Sequence, residues 1–166
     1  MTRAAAPAAM PSVLFVCLGN ICRSPLAEAA LRQVAQARGL PVRVDSAGTG
    51  DWHVGGAPDP RAQAEARRRG TDISKYCARQ VSAADFHEFD HVIALDARNL
   101  SDLAAIRPAD ASARLSLLLD HVPGFEGQGV IDPYFGDEHG FAATWDEVHS
   151  GAEGIVALLM AAPTKA

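Results

Sequence analysis

The apolar positions of the chain fall into runs of two kinds. Val13 to Cys17 is a short unbroken apolar stretch, the pattern of a strand covered on both faces. Ser24 to Arg38 instead repeats at helical spacing, with Ala27, Ala30, Leu31 and Val34 on one face. Its punctuation fits: Ser24 can cap, Pro25 suits the first turn, and Gly39 can end it. Val42 to Ser46 is again short and β-branched. The same logic predicts a helix from Asp59-Pro60 to Gly70, a short helix over Ser82 to Glu88 and a strand over His91 to Leu95. It then predicts a helix over Ala97 to Ala105, a strand over Ala113 to Leu118 and a last helix over Phe141 to Met160. Asp120 to Phe135, rich in Gly and Pro, reads as one long loop, and loops of that length are usually functional. Strands alternating with helices at this spacing predict an α/β fold. Its form is a three-layer sandwich, a four-stranded parallel sheet with helices on both faces. Ligands of such sheets bind beyond the carboxyl ends of the strands.

Composition narrows the picture. At 166 residues the chain suits one domain, placed at 12–161, with a flexible tail at 1–11, Ala-rich from Thr2 to Met10, and another at 162–166. The net charge is −5, and Arg67 to Arg69 is the one basic run, which argues against a nucleic-acid partner. No apolar run reaches the roughly 18 residues of a membrane span, so no membrane partner is expected. Three cysteines are too few for a disulfide scaffold and point to a reducing, cytoplasmic setting, with a non-classical export route left open. A monomer is expected.

The turn that leaves the first strand reads Cys17-Leu18-Gly19-Asn20-Ile21-Cys22-Arg23-Ser24-Pro25. Successive N–H groups in a tight turn ahead of a helix make a concave anion site, reinforced by the helix dipole. Arg23 offers a planar fork for two phosphoryl oxygens. The same field favours a thiolate at Cys17. Gly19 and Asn20 tolerate the left-handed backbone such a loop requires. Chance alone expects roughly 0.2 Cys–Arg pairs at this spacing, so the strand before it and the capped helix after it carry the argument. Inorganic phosphate or another oxyanion is the expected occupant of this phosphate-binding loop. Nucleophile, cradle and acid are all supplied by the protein, so neither cofactor nor metal is expected.

An aryl phosphate needs a proton donor for its leaving group. Asp132 is the candidate: Pro133 biases it to an extended backbone, and Tyr134 and Phe135 would exclude water and favour the protonated acid. Tyr134, Phe135, Leu18, Trp52 and His53 are the expected walls of an aromatic slot. Such a slot lets a flat aromatic group reach the nucleophile and leaves a shorter aliphatic ester short of it. His87-Glu88-Phe89-Asp90-His91 imitates a zinc motif, but its second half runs into a β-like segment, so the two imidazoles would not share a helical face. His121, His139 and His149 are expected to be solvated. Cys22, in the same loop as Cys17, is either a thiol that traps an oxidised Cys17 as a disulfide or a small apolar filler.

The run VLFVCLGNICRSPLAEA closely resembles the low-molecular-weight protein tyrosine phosphatases. So do DSAGTGDWHVG (Asp45 to Gly55), PDPRA (Pro58 to Ala62), ARQV (Ala78 to Val81) and DPYFG (Asp132 to Gly136). The resemblance covers Val13 to Leu159. It implies hydrolysis of phosphotyrosine in proteins, a tyrosine kinase among the candidate partners, through a cysteinyl phosphate on Cys17. It implies that Arg23 binds the phosphoryl oxygens, Ser24 donates to the thiolate and Asp132 is the general acid. Asn20 is then expected to shape the loop through Ser24 and Ser46. Where the family usually has a histidine in that network this chain has Tyr76, whose hydroxyl either substitutes or leaves the loop to be held differently. Phe135 replaces a second tyrosine common in the family and removes a modification site. Thiol-coupled arsenate reductases share the Cys-x5-Arg loop but use two further cysteines downstream; only Cys77 follows here.

Overall fold

The computed structural model describes residues 10–161; apart from Met10 and Pro11, the expected tails lie outside them. Four parallel strands, β1 (Ser12–Cys17), β2 (Arg43–Gly48), β3 (His91–Ala94) and β4 (Arg114–Leu117), form one sheet in the order β2-β1-β3-β4. The chain steps to one side of β1 for β2 and to the other for β3. The carboxyl end of β1 is therefore the point where strand order reverses, the natural ligand position in an open parallel sheet.

Alternation along the strands divides the core. Val13, Phe15, Ile93 and Leu95 face α1 (Arg23–Ala37), α2 (Pro60–Arg68) and α5 (Glu138–Ala161), where they meet Leu26, Leu31, Ala62, Phe141, Trp145 and Ile155. Leu14, Val16, Val92 and Ala94 face α3 (Asp85–Glu88) and α4 (Ala97–Ile106), against Phe86, Phe89 and Leu103. The three-layer sandwich is as the sequence predicts.

The ends of elements differ. β3 and β4 are shorter than their apolar runs, because Leu95 and Leu118 remain buried after the ladder has ended, Leu118 in a 3-10 turn, Leu118–His121. α3 keeps only the last turn of the expected Ser82 to Glu88, since the Ser82 N–H turns back to the Asp85 carboxylate. α5 starts earlier, at Glu138. β2 runs on to Gly48, past the expected end at Ser46. α1 is not capped by Ser24. Its cap position is Cys22 with no side-chain bond, and Ser24 lies within the first turn with its hydroxyl turned into the site. α2 does follow its signals, with the Asp59 carboxylate accepting the Arg61 N–H and Gly70 at φ 87° beyond its end.

His87 lies on α3 and His91 opens β3, so the two belong to different elements. His121 is not fully solvated: it is half-buried, its Nε2 bonds the Ser116 hydroxyl at 3.0 Å, and burial holds its pKa down. His149 pairs with Glu153 at 2.9 Å and packs near Trp145, while His139 is exposed. Among the described residues no helix is long and apolar enough to cross a membrane, and no group of three or more His, Cys, Asp or Glu is placed to hold a metal ion.

Candidate active site

β1 ends at Cys17 and α1 starts at Arg23, so residues 18–22 have to make the whole turn from strand to helix. Its carbonyls are drawn outward by the chain leaving β2: Thr49 N–H donates to Cys17 O and Gly50 N–H to Leu18 O, both at 2.9 Å. Gly48 permits this approach, since a Cβ there would stand 2.8 Å from Leu18 O. Asn20, at φ 57°, is the one non-glycine residue with positive φ among the described residues, a conformation costing an L-residue roughly 1–2 kcal/mol. Its side chain holds it there. Nδ2 donates to Ser24 Oγ (2.8 Å) and Ser46 Oγ (3.0 Å), and Oδ1 accepts the Arg79 N–H at 3.0 Å.

These bonds orient the sulfur's partners. Cys17 Sγ lies 3.0 Å from Ser24 Oγ and receives the Asn20 N–H at 3.3 Å. Because Ser24 Oγ already accepts from Asn20, its own proton is free to point at the sulfur. Arg23 is 3% exposed. Its Nη1 donates to Asp96 Oδ2 at 2.6 Å and Val130 O at 3.0 Å, and its Nη2 stands 3.5 Å from Asp132 Oδ2. Burial works against the guanidinium charge, but Cys17, Asp96 and Asp132 outweigh it. Partial burial likewise opposes the Asp96 charge, and Arg23 together with the Asn99 N–H holds its carboxyl below the usual range.

Cys17, Leu18, Gly19, Ile21, Cys22, Arg23, Trp52, His53, Asp132, Tyr134 and Phe135 line one cavity of about 140 Å³. The structure thus brings the predicted nucleophile, cradle, acid and walls to one place. The expectation that aromatics shield Asp132 from water is not met: its side chain is 34% exposed, because Phe135, at the loop tip, is 92% exposed. Tyr134 and Phe135 pack edge to face on each other, with centroids 4.9 Å apart. Trp52 is 70% exposed, so it is wall rather than core. Gly50 makes room for it, since a Cβ at Gly50 would collide with the indole.

The low molecular weight phosphotyrosine protein phosphatase family model matches residues 12–164. The chain belongs to that family. Among its relatives, the low molecular weight phosphotyrosine protein phosphatase of Schizosaccharomyces pombe is 42% identical over 132 residues, which is 78% of this chain and 84% of the relative. The crystal structure of YfkJ from Bacillus subtilis superposes with a TM-score of 0.86 at 39% identity, covering 93% of this chain and 98% of that one. A Drosophila arginine phosphatase structure gives a TM-score of 0.83 at 34% identity, with coverages of 91% and 99%.

In this phosphatase-family chain the support of the loop runs one residue deeper than the sequence suggested. Ser46 Oγ donates to Glu28 Oε1 at 2.7 Å, and Arg32 holds Glu28 Oε2, also at 2.7 Å. Burial raises the Glu28 pKa against the opposing pull of Arg32 and Ser46. Tyr76 lies beside the outer end of this chain, with the Arg32 guanidinium 6.0 Å from its ring centroid. Glu28 braces Ser46 directly, and Tyr76 stands one step further out in the same network, beside the Arg32 that holds Glu28. The signal was present, because Glu28 follows Ser24 by one helical turn and is flanked by the apolar Ala27 and Leu31. Asp96 was missed too. It closes β3 and caps α4 through the Asn99 N–H at 2.8 Å, which puts a carboxylate where a parallel sheet binds ligands.

Proposed function

We propose that this chain hydrolyses phosphotyrosine in proteins. The observation that carries the reading is the sharing of one cavity by Cys17 Sγ, the Arg23 guanidinium and the Asp132 carboxyl beneath an apolar mouth. Cys17 Sγ attacks phosphorus: an S–P bond forms, the P–O bond to the ring breaks, and the Asp132 proton passes to the phenolic oxygen. Water then attacks the cysteinyl phosphate, gives its proton to Asp132, and releases inorganic phosphate with the thiolate restored. Arg23 and the loop N–H groups bind the equatorial oxygens, where charge is greatest in transfer. The substrate's ring fills the slot and shields Asp132 from water.

Release of inorganic phosphate from a tyrosine-phosphorylated peptide tests this, with phosphoserine and phosphoarginine peptides and arsenate plus a thiol as the other arms. The expected result is turnover of the phosphotyrosine peptide alone, unaffected by chelator. Preference for any other arm overturns it. Arsenate reduction is disfavoured by Cys77, which lines a separate cavity of about 70 Å³ behind the loop with Glu28 and Tyr76.

Cys22 is buried at the base of the active-site loop, and burial, with Asp59 and Cys17 nearby, pushes its thiol pKa strongly up. That spares Cys22 while peroxide converts Cys17 to a sulfenic acid; attack by the Cys22 sulfur then expels water and forms a disulfide that blocks further oxidation, at a rate limited by the raised pKa because the thiolate is the attacking species. Peroxide is expected to inactivate the wild type reversibly, with activity returning on thiol reductant. Cys22→Ser should be active beforehand and recover little. Equal recovery in both assigns Cys22 to packing alone.

A further inference from the structure

The guanidinium of Arg61 stands between the two loops that make the site, and the chemistry above does not use it. On its inner side is Asp59. The Asp59 N–H donates to Ile21 O at 2.9 Å, so the start of α2 is bonded to the phosphate loop. The Asp59 carboxylate then accepts from Arg61 Nε at 3.0 Å and Nη2 at 2.9 Å, a two-point grip that fixes the plane of the fork. That pairing holds the Asp59 carboxyl below its usual range. On its outer side Nη1 donates to Gly136 O and Nη2 to Tyr134 O, each at 3.0 Å. The fork packs near the rings of Phe141, 4.8 Å away, and Tyr134, 5.7 Å away. Phe141 is fully buried at the start of α5.

Pro133 is buried beside Gly140 at the start of α5, but the polar ties of residues 132–137 to the rest of the fold are few. The Tyr134 N–H bonds the Asp132 carboxylate and the Gly136 N–H bonds Pro133 O, both within the loop. Among the described residues, the side chains that tie this segment to the rest are Arg23, through Asp132, and Arg61, through two carbonyls. Arg23 is the phosphate binder. A phosphoryl group in the cradle would compete with Asp132 for Arg23 Nη2, which makes Arg61 the anchor independent of substrate.

We propose that Arg61 is a positioning residue for Asp132: through Asp59 it locks the acid loop to the phosphate loop, so that the proton donor keeps its place over the leaving oxygen when Arg23 is occupied. The inference rests on the phosphatase reading above. Arg61 makes its four bonds from three separate nitrogens, which the three protons on the single nitrogen of a lysine cannot reproduce, so lysine is a partial substitute.

The test compares wild type, Arg61→Ala and Arg61→Lys on phenyl phosphate, whose leaving group needs a proton, and p-nitrophenyl phosphate, whose leaving group departs readily without one. Amide hydrogen exchange is followed in parallel across the loop. A misplaced acid is expected to cost Arg61→Ala about 10²-fold in kcat/KM on phenyl phosphate, and less than about tenfold on the nitrophenyl ester. Arg61→Lys should fall between Arg61→Ala and wild type, and low guanidinium should restore part of the Arg61→Ala loss. Exchange should quicken at 132–138 and stay unchanged in β1 and α1. Equal losses on both esters, or unaltered loop exchange, overturn the proposal while leaving the phosphatase reading intact. If Arg61→Ala does not fold, Arg61→Lys carries the same ester comparison. Failure of the wild type on both esters removes the phosphatase reading and this one with it.

Discussion

Cys17→Ser is expected to reduce turnover of a phosphotyrosine peptide by more than about 10⁴-fold, to below detection. A serine hydroxyl in the same place receives the same Asn20 N–H and the same Ser24 hydroxyl, but its proton is held far too tightly for these donors to expose an alkoxide near neutral pH. The fold should survive. Sulfur to oxygen is a small change in volume at the end of β1, and the anchors of the loop, Asn20 to Ser24 and Ser46 and Glu28 to Ser46, do not pass through the sulfur. The loop should therefore still bind inorganic phosphate or tungstate by titration calorimetry, and that retained binding separates a lost nucleophile from a lost site. Activity within tenfold of wild type would sink the assignment of Cys17. Arg23→Ala is a less clean test, because Arg23 is buried against Asp96 and its truncation strands a carboxylate as well as emptying the cradle.

How far the site could be read in the sequence depended on how its parts are encoded. Cys17, Asn20, Arg23 and Ser24 lie within eight consecutive residues, so strand, turn and helix signals framed them and their convergence followed from local geometry. Asp132 was legible because Pro and two aromatics mark its loop. Asp96, Glu28 and Arg61 were not singled out, and each acts across the fold: Asp96 from 73 positions away on Arg23, Glu28 from 18 on Ser46, and Arg61 from 73 and 75 on the Tyr134 and Gly136 carbonyls. A helix pattern shows that Glu28 is a charge flanked by apolar residues. It does not show which hydroxyl waits opposite. The capping role given to Ser24 failed for a related reason, since a serine ahead of a helix has two uses, and tertiary partners decided between them. The openness of the slot also lay beyond pattern reading: Trp52 and Phe135 are the residue types that usually seek burial, yet they stand in solvent at the mouth.

That exposure bears on the second large effect. Asp132→Ala is expected to lower kcat/KM for phenyl phosphate by roughly 10²- to 10⁴-fold and to leave p-nitrophenyl phosphate much less affected. Asp132 is partly solvated, its Oδ2 is turned toward Arg23, and its Oδ1 accepts the N–H of Tyr134. A carboxylate so placed has two uses: as proton donor, and as the residue that starts the turn of its own loop. The two separate on the leaving group. If Asp132 chiefly shapes the loop, its removal displaces the walls and the Val130 carbonyl that Arg23 binds, and both esters suffer alike. If it donates the proton, the loss follows the basicity of the departing oxygen. Asp132→Asn sharpens the distinction, because the amide keeps an acceptor for the Tyr134 N–H but has no acidic proton to give. It should match Asp132→Ala on phenyl phosphate. Recovery of phenyl phosphate turnover in the asparagine variant would assign Asp132 to the turn instead, and the proton would then have to come from solvent, which the open mouth of the slot admits.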